Sequence, residues 1–148
     1  MTPHLNRVLI IDDDIEDQLL IRRAFKECET QCALEILGGG ETAIARLLAI
    51  ATGEDANAAP NLILLDLNMP RMSGKEVLAE LYQDAHLRAI PVVVFTTSSA
   101  ADDIGTCYDL GARSYIQKPS TFSGIKKAIT LVARYWLDTV QLPRKGHT

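Results

Sequence analysis

Five short strand-like runs, each followed by a longer amphipathic stretch, limit the folds that this chain can adopt. A buried strand is encoded by a short apolar run between turn residues, whereas a helix shows apolar residues three and four positions apart. The five runs are Val8–Ile11, Cys32–Leu37, Leu62–Leu65, Pro91–Phe95 and Ser114–Gln117. Strands that alternate with helices form parallel sheets with right-handed crossovers. The sequence therefore predicts a single-domain (βα)5 α/β fold with a doubly wound, five-stranded parallel sheet.

Apolar stripes at helical spacing follow the runs. Asp14 to Asp17 open the first helix, where acidic side chains stabilise the positive end of the helix dipole. The later helices are predicted over about Gly74–Asp84, Ala100–Leu110 and Ser120–Thr139. The last helix carries a second apolar face, formed by Ala128, Leu131 and Tyr135, beside its inward stripe. A helix that is apolar on more than one face usually covers an additional surface.

Length and charge exclude several classes of protein. The 148 residues suffice for one domain but not for two ordinary ones, so we assign residues 1–143 to one domain and residues 144–148 to a polar tail. No apolar run approaches the ~18 residues of a membrane helix, and the N-terminus lacks a signal-peptide pattern. We therefore expect a cytoplasmic protein that does not bind a membrane. A net charge of −4 disfavours nucleic-acid binding.

The ends of the predicted strands carry side chains suited to phosphate chemistry. Because the carboxyl ends of parallel strands meet at one edge of a sheet, the following residues are expected to gather there: Asp12, Asp13, Asp66, Thr96 and Lys118. Carboxylates at close range raise one another's pKa values unless a cation compensates them. A site with oxygen donors and no nearby His or Cys favours Mg²⁺ or Mn²⁺. A metal, an ammonium and a hydroxyl around Asp66 suit phosphoryl transfer to its carboxylate.

Each of these residues also has a simpler interpretation. Asp66 could cap the loop that follows its strand, and Asp12 and Asp13 could stabilise the start of a helix. Lys118 could be a solvated charge and Thr96 an ordinary hydroxyl at a strand end. Their joint occurrence at successive strand ends favours a functional site.

The same residues resemble the receiver domain of two-component response regulators, the CheY-like family. The matching motifs are Asp12-Asp13, the Asp66-Leu-Asn68-Met69-Pro70 loop with Gly74, Thr96, and Tyr115-Ile-Gln-Lys118-Pro119. They follow the family's order over nearly the whole chain. The resemblance implies a flavodoxin-like sheet with strand order 2-1-3-4-5. It also implies a phospho-accepting signalling protein rather than an enzyme, with at most self-phosphorylation and self-dephosphorylation activity.

The resemblance implies roles for individual residues. Asp66 would accept the phosphoryl group from a histidine of a sensor histidine kinase, and Lys118 would bind a phosphate oxygen. Asp13, Asp66 and the backbone carbonyl of Asn68 would bind Mg²⁺, and Asp12 would hold a metal-bound water. The peptide bond between Lys118 and Pro119 would be cis, as is typical of the family.

Further positions resemble the family's switch. Thr96 and Tyr115 would form the switch pair, in which the Thr96 hydroxyl moves to the phosphoryl group and Tyr115 turns inward. The alternative for Tyr115 is an ordinary half-exposed aromatic residue of a strand. Asn68 and Ser98 occupy the positions that modulate the rate of dephosphorylation in the family.

Other features resemble, more loosely, the stand-alone regulators of bacterial phytochrome kinases. They are the long polar connection Ala51–Pro60, Thr97 where the family often has Ala, and the ending Arg134–Pro143. A bacterial phytochrome is therefore a candidate partner kinase. Because five residues follow Pro143, we expect output through the receiver surface, including a homodimer formed by the last helix and neighbouring elements. The alternatives for the second apolar face are a kinase contact and packing under the C-terminal tail.

Two competing functions use the same residues differently. A Mg²⁺-dependent phosphohydrolase would also use Asp66 as a nucleophile. Phosphatases of the haloacid-dehalogenase type, however, place a second aspartate two residues later as general acid, where this chain has Asn68. A receiver-like protein that no longer takes phosphate is disfavoured by the complete set of acidic, hydroxyl and lysine groups.

Overall fold

Strands and helices alternate along the chain as the sequence predicts. A computed structural model describes residues 5–54 and 59–142. The strands are β1 (Asn6–Ile11), β2 (Cys32–Leu37), β3 (Leu62–Leu65), β4 (Val92–Thr96) and β5 (Ser114–Gln117). The helices are α1 (Ile15–Glu27), α2 (Gly40–Ala51), α3 (Gly74–Gln83), α4 (Ala101–Asp109) and α5 (Phe122–Ala133).

All strand pairs in the sheet are parallel, and the strand order is β2-β1-β3-β4-β5. This order confirms the predicted doubly wound topology. The chain first moves from β1 to β2 and then crosses back to β3 on the other side of β1. The loops after β1 and β3 therefore diverge and leave a crevice, which is where open α/β sheets bind their ligands.

Helices cover both faces of the sheet. On one face, α1 and α5 contribute Ile21, Phe25, Ile125 and Ile129 to a buried cluster with Val8 and Ile10 of β1. On the other face, α2, α3 and α4 contribute Leu47, Val77, Leu81 and Cys107 to a second cluster with Leu9 and Ile11. Because β3 and β4 are covered from both sides, all of their residues are buried. This explains why these strands are encoded by continuous apolar runs rather than alternating ones.

Side-chain caps determine where the first and last helices begin. Asp14 accepts a hydrogen bond from the Asp17 backbone N–H at 3.0 Å, and Thr121 accepts one from the Gly124 N–H at 3.1 Å. An N-cap residue lies outside the helix while it satisfies one of the free N–H groups. The two helices therefore begin directly after these caps, slightly later than the predicted starts at Asp14 and Ser120.

The last helix changes form near its end, so the prediction of one regular helix is wrong there. Arg134–Thr139 is a π-helical segment. Its wider turn is visible in the Val140 N–H, which donates to the Tyr135 carbonyl at 2.8 Å, five residues back. The segment is also tied to the body of the protein, because Thr30 Oγ1 donates to Asp138 Oδ2 at 2.5 Å. Contacts of this kind support a backbone form that is rare in proteins.

The predicted polar tail, residues 144–148, lies wholly outside the described residues. The predicted surface connection lies partly outside them, over residues 55–58. Within the described ranges, none of the helices has the length and apolar character that crossing a bilayer requires.

Candidate functional site

The predicted site residues lie at the carboxyl edge of the sheet. Backbone hydrogen bonds continue the pairing just beyond the strands: the Asp66 N–H donates to the Ile11 carbonyl at 2.9 Å, and the Lys118 N–H donates to the Thr96 carbonyl at 2.6 Å. These bonds hold the first residues after β3 and β5 in line with the sheet. The structure therefore brings together Asp12, Asp13, Asp66, Thr96 and Lys118, as the strand-end pattern predicts.

The loop after β3 folds tightly around Asp66. The Leu67 N–H donates to Asp66 Oδ1 at 2.8 Å, and the Gly74 N–H donates to the Leu67 carbonyl at 2.9 Å. A Cβ atom at Gly74 would lie 2.3 Å from the Asp66 carbonyl oxygen, so only glycine fits there. Arg71, in the same loop, has a φ of 67°, which is uncommon for a residue with a side chain. This compact loop holds Asp66 at the edge of the sheet.

Three carboxylates form a compact acidic cluster. One oxygen from each of Asp12, Asp13 and Asp66 lies within 4.8 Å of the others. Burial raises the pKa of Asp12 above its usual value, and a hydrogen bond from Lys118 offsets part of that rise. A set of oxygen donors at this spacing fits a hard divalent cation such as Mg²⁺ or Mn²⁺.

The Lys118 ammonium binds three carboxylates. Its Nζ lies 2.7 Å from Asp12 Oδ2, 2.8 Å from Asp17 Oδ2 and 3.3 Å from Asp66 Oδ2, and its side chain is 5% exposed. Burial alone would lower the pKa of Lys118, but the hydrogen bonds to Asp12 and Asp17, with the charges of Asp12 and Asp66, raise it above its ordinary value. Lys118 is therefore charged at neutral pH and supplies the positive charge of the site.

Thr96 contributes a buried hydroxyl without a partner. The residue is 0% exposed, and its Oγ1 makes no hydrogen bond to any residue that the structure describes. An unpaired buried hydroxyl costs about 1–3 kcal/mol. Thr96 is the last residue of β4, so this unpaired hydroxyl belongs to a strand end at the carboxyl edge of the sheet.

Tyr115 has a specific polar partner behind the acidic cluster. It is half-buried against the α2, α3 and α4 face, and its hydroxyl donates to the Ser98 carbonyl at 2.9 Å. Burial raises the pKa of Tyr115 above its usual value. The Ser98 side chain is also engaged, because its Oγ donates to Asp103 Oδ2 at 2.5 Å. Tyr115 thus combines packing against the core with a hydrogen bond to the loop after β4.

An open cleft of about 640 Å³ leads to the cluster. Its walls include Asp13, Asp17, Asp66, Asn68, Thr97 and Lys118. Thr96, Ser98 and Tyr115 are not part of this wall. The predicted residues therefore form two groups. One group lines a polar cleft that can admit a phosphate, and the other, which consists of Thr96, Ser98 and Tyr115, does not line it.

Three polar residues of this region were not predicted to belong to the site: Asp17, Lys75 and Asp103. Asp17 binds Lys118, and Lys75 Nζ lies 2.5 Å from Asp103 Oδ1. The sequence indicates Asp17 only as an acid at a helix start. All three lie in the first turn of a helix that follows a strand. A charged residue in that turn can reach the same edge of the sheet. The short distance in sequence between the strand end and such a residue was therefore the signal that could have identified the three.

The bond between Lys118 and Pro119 is trans, because no cis peptide bond occurs among the residues that the structure describes. The cis bond implied by the family resemblance is therefore wrong here. The two isomers of an X–Pro bond differ by only about 0.5–1 kcal/mol. A sequence motif of two residues does not determine so small a difference.

Comparison with known proteins agrees with this geometry. The response regulator receiver domain family matches residues 8–130. Response regulator Rcp1 of Synechocystis sp. is 39% identical over 137 residues, which is 92% of each chain.

Solved structures of related regulators have the same fold. The phosphorylated cyanobacterial phytochrome response regulator RcpA superposes with a TM-score of 0.86 at 38% identity, over 95% of this chain and 99% of that one. The Mn²⁺-bound form of Rcp1 superposes with a TM-score of 0.83 at 38% identity, over 94% and 99% of the two chains. With the acidic cluster in place at the carboxyl edge of the sheet, the chain belongs to the response regulator receiver domain family of two-component signalling proteins.

Proposed function

We propose that Asp66 accepts a phosphoryl group from a phosphohistidine of a sensor histidine kinase, and that the modified chain signals through the surface around β4, β5 and their helices. We assign residues 1–143 to this receiver domain, of which residues 8–130 match the family. One observation carries the proposal: Asp66 lines the cleft, and its Oδ2 lies 3.3 Å from the Lys118 ammonium. A carboxylate in this position is accessible to a donor and has a cation beside it.

In the proposed transfer, an oxygen of Asp66 attacks phosphorus. The new O–P bond forms as the N–P bond to the histidine breaks, and the imidazole leaves with the electron pair and takes a proton from water. The product is an acyl phosphate. Lys118 donates a hydrogen bond to one phosphoryl oxygen, and the unpaired Thr96 hydroxyl donates to another. These residues position the group and neutralise charge, which are the main requirements of phosphoryl transfer.

We assign a Mg²⁺ site, which Mn²⁺ would also fit, to Asp12, Asp13, Asp66 and the backbone carbonyl of Asn68. The support is the 4.8 Å grouping of the three carboxylates and their oxygen-only chemistry. A Mn²⁺-bound form of the similar regulator Rcp1 has been solved. When bound, the metal would supply positive charge toward the phosphoryl oxygens.

Thr96 and Tyr115 form the proposed switch. Thr96 has a buried hydroxyl without a hydrogen-bond partner, so it is free to donate to a phosphoryl oxygen. The Tyr115 hydroxyl is bound to the Ser98 carbonyl. Movement of Thr96 toward the phosphoryl group shifts the end of β4, and the Ser98 carbonyl lies only two residues further on. Asn68, exposed at the cleft, and Ser98 are proposed to modulate dephosphorylation.

The proposed partner is a sensor kinase of the phytochrome class. The similar regulator RcpA is described as a cyanobacterial phytochrome response regulator. On this chain, Ile15 lines the cleft and is 70% exposed, and Leu19 one turn later is 61% exposed. Large apolar side chains beside an acidic cleft give a docking partner contact area where the phosphoryl group must be delivered.

We also propose a homodimer through α5 and neighbouring elements. Leu131 and Tyr135 on the outer side of this region are 58% and 52% exposed. Ala128, the third residue of the predicted second face, is instead partly buried against the core. A dimer would cover the two large side chains. Sedimentation at micromolar concentration, with and without phosphorylation, tests this: a dimer that Leu131→Glu dissociates is expected, and a monomer under both conditions would exclude it.

The transfer itself is tested by intact mass spectrometry with Mg²⁺ and a small-molecule phosphodonor. The native chain is expected to gain one phosphoryl group, Asp66→Asn none, and the exposed-site control Asp102→Asn the same as native. Multiple turnover of external phosphoesters would favour the phosphohydrolase instead. A native chain that stays unmodified would overturn the proposal.

A further inference from the structure

A continuous set of polar contacts joins α3, α4, the β4–α4 loop and β5. Asp103 lies at its centre: Oδ1 is 2.5 Å from Lys75 Nζ, and Oδ2 accepts a hydrogen bond from Ser98 Oγ at 2.5 Å. The Ser98 carbonyl in turn accepts the Tyr115 hydroxyl at 2.9 Å. We refer to Lys75, Asp103 and Ser98 as the Asp103 latch.

The latch fixes Ser98 from two sides. While Ser98 Oγ donates to Asp103, it also accepts a hydrogen bond from the Ala100 N–H at 3.2 Å. The carbonyl of the same residue is therefore held in one direction. The Tyr115 hydroxyl binds that carbonyl, so the position of Tyr115 depends on contacts that Tyr115 does not itself make.

Both charges of the latch persist at neutral pH. The hydrogen bond from Lys75, and then the one from Ser98, hold the pKa of Asp103 below its usual value. The bond to Asp103 raises the pKa of Lys75. The side chains of Lys75 and Asp103 are only 36% and 27% exposed, so the pair is partly shielded from water.

We infer that Asp103 is a positioning residue for the switch: through Ser98 it keeps the Tyr115 hydroxyl bound to the Ser98 carbonyl, and it ties that arrangement to α3 through Lys75. The inference rests on the proposed function, because Tyr115 matters as the readout of Asp66. Thr96 and Ser98 belong to one short segment. The Asp103 latch therefore holds Ser98 at one end of this segment, and Thr96 with its unpaired hydroxyl lies at the other end.

The test compares Asp103→Ala with Asp102→Ala in the unphosphorylated chain. Both variants remove an acid from the first turn of α4, so they lose the same charge at the same helix start. The readout is the ring signal of Tyr115 in an aromatic NMR spectrum, assigned by its loss in Tyr115→Phe. Asp103→Ala is expected to lower the ratio of bound to released Tyr115 by about fivefold, the factor that corresponds to one ordinary hydrogen bond. Asp102→Ala is expected to leave the signal at its native position.

Two further variants keep the inference testable if Asp103→Ala folds poorly. Lys75→Met removes the other charge of the latch, and Ser98→Ala removes the hydroxyl that Asp103 accepts from. Each is expected to move the Tyr115 signal in the same direction, and Ser98→Ala with Asp103→Ala is expected to move it no further than either alone. A Tyr115 signal that stays native in these variants, or that moves equally in Asp102→Ala, would overturn the inference.

Phosphorylation of the same variants is measured separately by intact mass. Asp103→Ala is expected to accept the phosphoryl group at Asp66, because the hydrogen bonds described for Asp103 go to Lys75 and Ser98 and not to Asp66. A native chain that accepts no phosphate would refute the proposed function, whereas the Asp103 latch is judged from the Tyr115 signal alone.

Discussion

Lys118 and Asp17 form a 2.8 Å ion pair across 101 residues of sequence. The ammonium has three hydrogens, and the two other carboxylates that it binds, Asp12 and Asp66, account for the remaining two. A phosphoryl oxygen must therefore displace a carboxylate to reach Lys118. Asp17 is 29% exposed in its side chain, and it competes with the phosphoryl group for the same cation.

Removal of this competitor is predicted to speed phosphorylation. In Asp17→Asn, Lys118 is freer to bind the incoming group, so the rate with a small phosphodonor should rise about threefold, the scale of a partly exposed ion pair. The measurement is a time course by intact mass. Glu16→Gln is the matched control, because Glu16 also lines the cleft but is not among the carboxylates that bind Lys118. Equal acceleration in both variants would assign the effect to net charge rather than to the ion pair.

Thr96→Val is predicted to abolish switching without lowering the free energy of unfolding. The replacement keeps the shape of a 0% exposed side chain and removes its unpaired hydroxyl. The free energy of unfolding should therefore stay the same or rise by about 1 kcal/mol, while the phosphorylation-dependent shift of the Tyr115 NMR signal is lost. Denaturant unfolding measures the first effect, with the exposed Thr97→Val as control. A loss of stability larger than about 1 kcal/mol would show that the Thr96 hydroxyl is bonded in solution.

Gly74→Ala is predicted to disturb the site by displacing the backbone of Asp66 and Leu67. Its Cβ would meet the Asp66 carbonyl oxygen at 2.3 Å and Leu67 Cα at 2.8 Å, and both are backbone atoms that cannot rotate away. Overpacking of this kind costs about 1–3 kcal/mol, and phosphorylation of Asp66 should slow. The matched control is Gly105→Ala within α4, where a Cβ meets nothing within 4 Å. There alanine should stabilise the helix by about 0.5–1 kcal/mol; similar losses in both variants would contradict the steric account.

The fold and most of the site were predictable because both follow local patterns. Leu62–Leu65 is a continuous apolar run bounded by turn residues, so its strand and the position of Asp66 at the strand end follow directly. Lys118 was predictable as a member of the same edge because it follows the predicted strand Ser114–Gln117. Parallel pairing then brings these ends together without further information from the sequence.

Long-range partners were not predictable. The first-turn position of Asp17 indicates only that it can reach this edge of the sheet, and its contact with Lys118 depends on how α1 packs over the sheet. The π-helical segment Arg134–Thr139 is similar, because Asp138 in it is bonded to Thr30, 108 residues away in sequence. The trans bond before Pro119 reflects a small energy difference that tertiary contacts decide.

The contribution of Tyr115 to stability is predicted to fall at alkaline pH. Burial raises the pKa of Tyr115 in the folded chain, so the folded state binds its proton more tightly than the unfolded state does. Its contribution is therefore complete below the unfolded pKa of about 10 and is lost as the pH rises through the folded pKa. The difference in free energy of unfolding between native and Tyr115→Phe should shrink over that range. A difference that stays constant between neutral pH and pH values above the folded pKa would contradict the buried, hydrogen-bonded position.

The central claim, that Asp66 is the nucleophile, is tested most directly by chemical mapping. The chain is phosphorylated with a small phosphodonor and Mg²⁺, and the acyl phosphate is then reduced with borohydride, which converts the modified aspartate to homoserine. Tandem mass spectrometry locates the converted residue. The account predicts conversion at position 66 and nowhere else among the carboxylates of the cleft. Conversion at Asp12, Asp13 or Asp17 instead, or no conversion in a chain that has gained a phosphoryl group, would contradict it.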